Sequence, residues 1–524
     1  MDEITRERRW GWCLSALAIV IVMALQGFLA SRLSLWSDEF SAIEPALRPW
    51  SGEHDFWWQI RQYIANPPGE NLVLRILYRS SSLAWLRESS REFFWRLPYL
   101  FAYAASALVT YFYAEKWSRS PLIGSVFLAF FLAAPGPFVW ATETRFYAWA
   151  ILFVTLCVWE GILFIEGDFA PSNYIRLSIY AAVGVIFHIS LALICGLLVI
   201  YALTASALTA LKWRRATHRP TRAEIIKFFS SAGVGFFPYL IYRYERIQWM
   251  FVPGGVGYFP VFSKTLSQAF REVPKLTGIL LPFGSVWSTF GCILFVLGLL
   301  LISALGWFRR DFTRGIVSTF LLSVSVGGSF LVLLSANSNQ FTVTSRHFLF
   351  AVPAFLAGAG YLVFDRFRDR VTSVPFPARI MAIMIALSIG IGGSFSLAKE
   401  TLGHGSPAKI NHDLAFFRSL YVTLPDRRPL VLVGVGEGAL WATTDTGDFI
   451  GATFVPYLSD FSPHYLSSRL PPAWEIPTTS AGWKNYDFLV FVPPGREPRV
   501  PNMDWSRVKC VVFSWGLLRF CRAR

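Results

Sequence analysis

Stretches of about 17 or more mainly apolar residues recur along the whole chain, and each is long enough to cross a bilayer as a helix. Of the 524 residues, 54% are hydrophobic and 15% are charged, whereas about 25% are charged in soluble proteins. This composition excludes a water-soluble fold. We expect a mainly α protein, a polytopic membrane helix bundle with about eleven transmembrane helices.

The formal net charge of +15 by itself could indicate nucleic-acid binding. However, Lys and Arg cluster in short loops between apolar stretches, a pattern typical of membrane topology, so no nucleic-acid partner is expected. Arg6, Arg8 and Arg9 place the N-terminus in the cytoplasm, and the first span is interpreted as a retained anchor because no small-residue cleavage site follows. The sequence has no Asn-x-Ser/Thr site, which favours a bacterial inner (plasma) membrane.

Alternation of basic and weakly charged loops divides the chain into a membrane domain at residues 1–399 and an extracytoplasmic domain at 400–524. Residues 31–94 form the first extracytoplasmic loop, with amphipathic helices predicted at 53–64 and 70–86. The transmembrane helices are predicted at 13–30, 96–114, 121–138, 148–165, two between 174 and 211, 225–242, 287–307, 315–335, one between His347 and Arg366, and 379–397.

The last 125 or so residues have the composition of a small α/β domain. An amphipathic helix is predicted at 410–421 and buried strands at 430–433, 488–492 and 511–513. The glycines that follow the first strand lack the full spacing of a dinucleotide-binding loop. Cys510 and Cys521 lie on or beside adjacent strand-like runs, so a disulfide is predicted; two buried thiols are the alternative.

An acidic pair, Asp38-Glu39, follows the first span directly. A carboxylate at a membrane boundary is costly unless it is solvated, paired or functional. Trp36 is a typical interface anchor, so the pair is expected near headgroup depth. A solvated helix cap is the simplest alternative, and it stays open for an isolated pair.

Further polar residues fall in loops on the same predicted side of the membrane. Glu143 and Arg145 lie in the second outer loop, His188 in the third, and Arg346 with His347 in the fifth. Each has a structural alternative: Glu143 could pair with Arg145, His188 could be a turn residue, and Arg346 could anchor a helix end at headgroups. Together they indicate acids and phosphate-binding cations that converge above a helical bundle.

The sequence resembles the GT-C integral-membrane glycosyltransferases that use polyprenyl-phosphate sugars, such as protein O-mannosyltransferases, lipid A aminoarabinose transferases and rhizobial lipid A galacturonosyltransferases. The resemblance covers roughly residues 10–400 and rests on the order of its motifs. These are Trp36-Ser37-Asp38-Glu39, Asn66-Pro67-Pro68 with Leu72-Val73-Leu74-Arg75-Ile76-Leu77, Arg96-Leu97-Pro98, Glu143-Thr144-Arg145-Phe146-Tyr147, and Ser345-Arg346-His347-Phe348 with Pro353. The chain departs at Asn66, where the family often has His, and at His347, where it often has an aromatic residue.

The resemblance implies transfer of a sugar, with inversion, from a polyprenyl-phosphate-linked donor to a lipid, glycan or protein acceptor on the extracytoplasmic face. It favours Asp38 as the catalytic base, because the acceptor hydroxyl must lose a proton. The further catalytic candidates are Glu39 and Glu143, the donor phosphate-binding candidates are Arg145, Arg346 and His347, and the other site candidates are Arg75, His188 and Tyr147. No cofactor is certain, and a divalent metal, the sugar and the acceptor stay open.

A transporter or flippase of lipid-linked sugars is the competing class. Such a protein is expected to place polar groups near the bilayer midplane, in broken helices of an internal repeat. The sequence shows no convincing repeat, and its polar motifs lie at helix ends. A sensor with an external domain would explain the C-terminal residues but not the motifs in the outer loops.

Overall fold

The computed structural model of the protein describes residues 3–32, 39, 42–43, 46, 68–89, 91–167, 170–188, 191, 194–201, 204, 221–234, 285–308, 312–327, 349, 351–364, 374–404, 417, 419–434, 464–466, 479, 482–491, 508–512 and 518–523. The chain divides into two compact units. Unit 1 comprises Met1–Leu29, Trp50–Val73 and Arg96–Thr401, and unit 2 comprises Ala30–Pro49, Leu74–Trp95 and Leu402–Arg524. The predicted domain boundary at residue 399 stays a prediction, because compactness alone does not define a domain.

The described helices fall close to the predicted spans. They are α1 (Glu3–Arg32), α2 (Pro68–Arg79), α3 (Ala84–Ser89), α4 (Arg91–Ser118), α5 (Pro121–Ala133), α6 (Pro135–Ala141), α7 (Tyr147–Glu166), α8 (Pro171–Phe187), α9 (Arg222–Gly233), α10 (Ser285–Phe308), α11 (Phe312–Leu322), α12 (Ala351–Phe364) and α13 (Phe376–His404). Residues 194–201 are also helical. A π-helical turn, Ser323–Gly327, follows α11 directly.

The described residues contain four helices, α1, α4, α7 and α13, that are long and apolar enough to cross a membrane. Helices α5 and α6 together form a fifth candidate, bent by 62° at Ala134. The predicted total of about eleven is not confirmed, since parts of several predicted spans lie outside the described residues. The chain is therefore a mainly α protein with several membrane-spanning helices.

Helix α7 is the central helix of unit 1. Nearly all its residues are buried, and it packs against α8 and α12. A helix that is apolar on all sides is expected to lie inside a bundle rather than at its edge. By contrast, α1 and α13 expose large apolar side chains such as Leu17 and Ile389, as expected for helices that face lipid.

The bend between α5 and α6 occurs where Pro135 removes a backbone donor and ends the first helix. Neighbouring spans supply hydrogen bonds to carbonyls near the bend. Ser394 Oγ of α13 donates to the carbonyl of Leu132 at 2.7 Å, and Gln26 Nε2 of α1 donates to the carbonyl of Phe138 at 3.2 Å. Broken helices are tolerated at membrane depth only when such partners replace the lost backbone bonds.

Ion pairs join the start of α1 to the end of α4 and to the start of α13. Arg8 Nε donates to Glu115 of α4 at 2.6 Å, and Glu7 lies 3.0 Å from Arg379 of α13. Glu7 and Arg379 are both buried. A buried charge is tolerated when it is paired, so these contacts fix where the N-terminus of α1 lies against its neighbours.

Helix α2 is shorter than predicted. The expected helix 70–86 is broken at Ser80, and a 3₁₀ turn (Ser81–Leu83) leads into α3. Of the apolar residues in its motif, Leu72 and Ile76 are exposed and Leu77 is buried, and Glu70 and Arg75 are buried as well. Exposed apolar side chains are expected of an amphipathic helix at a membrane surface.

The C-terminal residues of unit 2 form a mixed five-stranded sheet. Its strands are β1 (Leu430–Gly434), β2 (His464–Leu466), β3 (Asp487–Phe491), β4 (Val508–Val512) and β5 (Leu518–Ala523), in the order β2-β1-β3-β5-β4. Strand β1 pairs in parallel with β2 and β3, whereas β5 pairs antiparallel with β3 and β4. The three predicted strands are present, and β2 and β5 were not predicted.

The predicted disulfide between Cys510 and Cys521 is present, with the two Cα atoms 4.1 Å apart. These residues are directly opposite each other on β4 and β5. The neighbouring register pair on β3 and β5 is Asp487 and Arg522, whose side chains form two hydrogen bonds of 2.6 and 2.8 Å. Strand β5 is therefore fixed to one neighbour covalently and to the other by a charged pair.

Candidate active site

The loop between α6 and α7 brings a buried arginine to one end of unit 1. Thr142 caps α6, because its backbone nitrogen and Oγ1 both bond the carbonyl of Val139. The chain then turns tightly, with the nitrogen of Arg145 donating to the carbonyl of Glu143 at 2.9 Å. Arg145 is only 6% exposed although it lies in a loop. A buried loop arginine is unusual unless packing or a ligand requires it.

Two aromatic rings lie beside the Arg145 guanidinium. Its Cζ atom lies 5.2 Å from the ring centroid of Phe146 and 6.0 Å from that of Tyr147. Both distances are in the range of cation–π attraction. Trp140 of α6 packs edge-on against Tyr147, with centroids 5.2 Å apart. The guanidinium is thus held by flat apolar surfaces.

His188 joins this cluster from the end of α8. Its backbone nitrogen caps that helix by donating a hydrogen bond to the carbonyl of Gly184, and its ring stacks on Phe146 with centroids 4.9 Å apart. Phe146 therefore contacts Arg145 and His188 together. The structure brings Glu143, Arg145, Tyr147 and His188 into one neighbourhood. We name this end of the bundle the Arg145 end.

The first turn of α2 lies against the same end of α8. A Cβ placed on Gly69 would lie 3.2 Å from ring atoms of Phe187, so a larger residue here would require the ring to move by a few tenths of an ångström. The next residue, Glu70, is 1% exposed and accepts a hydrogen bond from the hydroxyl of Tyr99 at 3.1 Å. Glu70 was not predicted as a site residue. Its one sequence signal is an acid in the first helical turn after Asn66-Pro67-Pro68.

Two more candidates are described within unit 2. Glu39 is fully buried, and Arg75 of α2 is 2% exposed. The burial of Glu39 means that this residue is not solvated, while the alternative of a solvated cap at Asp38 stays open. Asp38, Arg346 and His347 lie outside the described residues, so the predicted roles of the catalytic base and of the second phosphate-binding arginine stay predictions.

The chemistry available at the Arg145 end is anion binding beside carboxylates. A guanidinium offers a planar fork that matches two phosphate oxygens, and burial among aromatic rings strengthens such contacts. The described part of the chain contains no group of three or more His, Cys, Asp or Glu that could hold a metal ion. The predicted candidates Asp38 and His347 fall outside that part, and the question of a divalent metal stays open.

No protein-family model matches the sequence, and no curated protein does. Solved structures do match. ArnT from Cupriavidus metallidurans bound to undecaprenyl phosphate matches with a TM-score of 0.57 and 13% identity over 98% of both chains. The same protein in the apo state gives 0.53 and 13% over 98% of this chain and 97% of that one.

AglB from Archaeoglobus fulgidus, in complex with an inhibitory peptide and a dolichol-phosphate, matches 85% of this chain and 63% of its own. Its identity is 13% and its TM-score 0.43, too low to support an argument. The match to ArnT extends over nearly the whole length of both proteins, including the residues after 400 that the sequence motifs do not cover. The chain therefore has the fold of the GT-C glycosyltransferases, as its motifs predicted.

Proposed function

We propose that this protein is a glycosyltransferase that moves a sugar from a polyprenyl-phosphate-linked donor to a cell-envelope acceptor, with inversion at the anomeric carbon. The observation that carries the proposal is the buried Arg145 among aromatic rings at a helix-bundle end, in a chain with the fold of ArnT bound to undecaprenyl phosphate. The partners are the donor, a lipid, glycan or protein acceptor, and the membrane.

The proposed reaction needs three contributions from the chain. Asp38 takes the proton from the acceptor hydroxyl, and the acceptor oxygen forms a bond to the anomeric carbon. The bond from that carbon to the phosphate oxygen breaks, and polyprenyl phosphate leaves with the electron pair. Arg145 and Arg346 stabilise the negative charge that develops on the phosphate. Glu39 and Glu143 orient the reacting groups or the arginines.

The geometry at the Arg145 end supports the phosphate role. The guanidinium is already oriented by Phe146 before a ligand binds, so less conformational entropy is lost on binding. Its environment has few competing water molecules, because Arg145, Phe146 and Tyr147 are all buried. Such preorganised cations contribute more to a reaction than solvated ones.

The proposed location is the inner (plasma) membrane, with a cytoplasmic N-terminus and a periplasmic C-terminal domain. Basic residues next to predicted spans support this orientation. Reporter fusions after Arg215 and after Pro407 should report opposite sides of the membrane. The same side for both would refute the orientation and, with it, the clustering of the outer loops.

The proposal is tested by comparing envelope lipids and polysaccharides from cells that express the wild-type chain, an Asp38→Asn variant or no protein. Mass spectrometry should show one sugar modification that only the wild-type chain produces. Product formation by Asp38→Asn at the wild-type level would contradict a role for Asp38 as base. Transport without transfer would then be the better explanation if the flow of lipid-linked sugar still depended on the protein.

A further inference from the structure

Helix α6, which leads into the Arg145 loop, is only seven residues long. A helix leaves its last four carbonyls without backbone partners, and here two of them are bonded in other ways. Val139 is capped by Thr142 from the loop itself. Phe138 is bonded by Gln26, whose side chain comes from α1, 112 residues earlier in the chain.

Gln26 is completely buried in a mainly apolar span. Its Nε2 must face Phe138, because a carbonyl oxygen can only accept a hydrogen bond. Among the residues that the structure describes, its Oε1 atom has no hydrogen-bond partner. Burying an amide oxygen without a partner costs about as much as one hydrogen bond contributes, so stability alone does not account for glutamine at this position.

We infer that Gln26 is a positioning residue that holds α6, and through it the Arg145 guanidinium, in place for the phosphate of the donor. This inference rests on the proposed function and extends it to a residue outside the sequence motifs. Gln26 donates its hydrogen bond to the carbonyl of Phe138, which lies beyond the bend and only seven residues before Arg145. Without that bond, the bend at Ala134 leaves the direction of α6 less restrained.

The connection from Gln26 to Arg145 is short and contains few free torsions. The cap at Thr142 and the turn from Glu143 to Arg145 restrict movement of the loop backbone between α6 and the guanidinium. A small displacement of α6 therefore moves the guanidinium with it. Misplacement of a binding group by about 1 Å can cost as much as 10²-fold in rate.

Ser394 provides a matched control. It also donates one buried hydrogen bond from a neighbouring span to the same broken helix, but its acceptor, Leu132, precedes the bend. Removing it should lower stability without redirecting α6. Comparing the two positions therefore separates a lost hydrogen bond from a displaced Arg145.

The test is a double-mutant cycle with the full chain in lipid nanodiscs and undecaprenyl phosphate as the probe. Gln26→Met keeps the length of the side chain but removes the donor. We expect it to weaken binding by about ten-fold, while Ser394→Ala stays within about two-fold of wild type. In an Arg145→Ala background, Gln26→Met should have almost no further effect, because the group that it positions is gone.

Each outcome decides between the two proposals. Absence of undecaprenyl phosphate binding by the wild-type chain would overturn the proposed donor class, and the inference with it. Normal binding by Gln26→Met, while Arg145→Ala is impaired, would overturn the inference alone. An equal loss in both backgrounds would also overturn it, because that is the signature of general loosening. If Gln26→Met does not fold, Gln26→Asn, whose shorter amide cannot reach Phe138, replaces it in the cycle.

Discussion

Replacement of Arg145 tests the candidate site most directly. We expect Arg145→Lys to keep the positive charge but lose the planar guanidinium that can bind two phosphate oxygens. The variant therefore loses one of two charge-assisted hydrogen bonds to the phosphate. Each such bond contributes about 1.5–3 kcal/mol, which predicts roughly 10- to 150-fold weaker binding of undecaprenyl phosphate. Arg145→Ala loses both bonds and should weaken binding by more than about 100-fold.

The structure also predicts a separate effect of Arg145→Ala on stability. The guanidinium lies on the rings of Phe146 and Tyr147, and each cation–π contact contributes about 0.5–1 kcal/mol. Unfolding free energy should therefore fall by about 1–2 kcal/mol, which is too little to unfold the chain at room temperature. Thermal unfolding in the same nanodiscs measures this change independently of binding.

Arg8→Ala is the matched control, because it removes one cation and one ion pair near the start of α1. Binding by this variant should stay within about two-fold of wild type, since screening reduces long-range effects of charge. The reasoning is refuted if Arg145→Ala binds undecaprenyl phosphate like wild type while its stability falls. Arg145 would then serve only to fill the space between aromatic rings.

Three further predictions concern the acidic motif and the sheet. Asp38→Asn should lower sugar transfer by about 10²–10⁴-fold and leave donor binding unchanged. If Asp38→Asn keeps full activity while Glu39→Gln loses it, Glu39 rather than Asp38 is the catalytic base. Cys521→Ser removes a disulfide that closes a short loop, so the full chain should lose about 2–3 kcal/mol of stability at the sheet, measured by hydrogen exchange under oxidising conditions. Unchanged protection would contradict that loss. The pKa of Asp426 lies below its usual 3.8 because Arg522 donates a hydrogen bond to its carboxylate. The pair therefore stabilises the folded state at pH values above the pKa of the unfolded chain, and this stabilisation is lost as the pH falls through the lowered pKa of the folded state. Thermal unfolding of wild type and Asp426→Asn should differ at neutral pH and converge once the pH falls below the lowered pKa of Asp426; a difference that persists in acid would refute the assignment.

The sequence predicted the membrane helices well because their signal is strong and local. The starts of α5 and α7 fall within one residue of the predicted positions 121 and 148. The predicted span at 121–138 includes the bend at Ala134, which was not predicted, since Pro135-Gly136-Pro137 is equally typical of an outer turn. In the structure the polypeptide continues as α6, and Gln26 and Ser394 donate hydrogen bonds to carbonyls on the two sides of the bend.

The site was predicted in part, for a different reason. Arg145 and His188 were singled out by residue type and by position at helix ends, and the structure places both beside Phe146. Glu70 and Gln26 were missed, because a single acid or amide carries no pattern in one sequence. Their importance follows from distant partners, Tyr99 and Phe138, and such pairings have no local sequence signature.

The pairing of Glu7 with Arg379 has a consequence for how the chain is made. Glu7 lies on the first described helix and Arg379 on the last described span, so the acid is synthesised long before this partner. Throughout synthesis the acid lacks this counter-ion, which makes an intermediate with a costly charge near the bilayer. Removal of α13 should therefore leave Glu7 without this partner and weaken the packing of the start of α1.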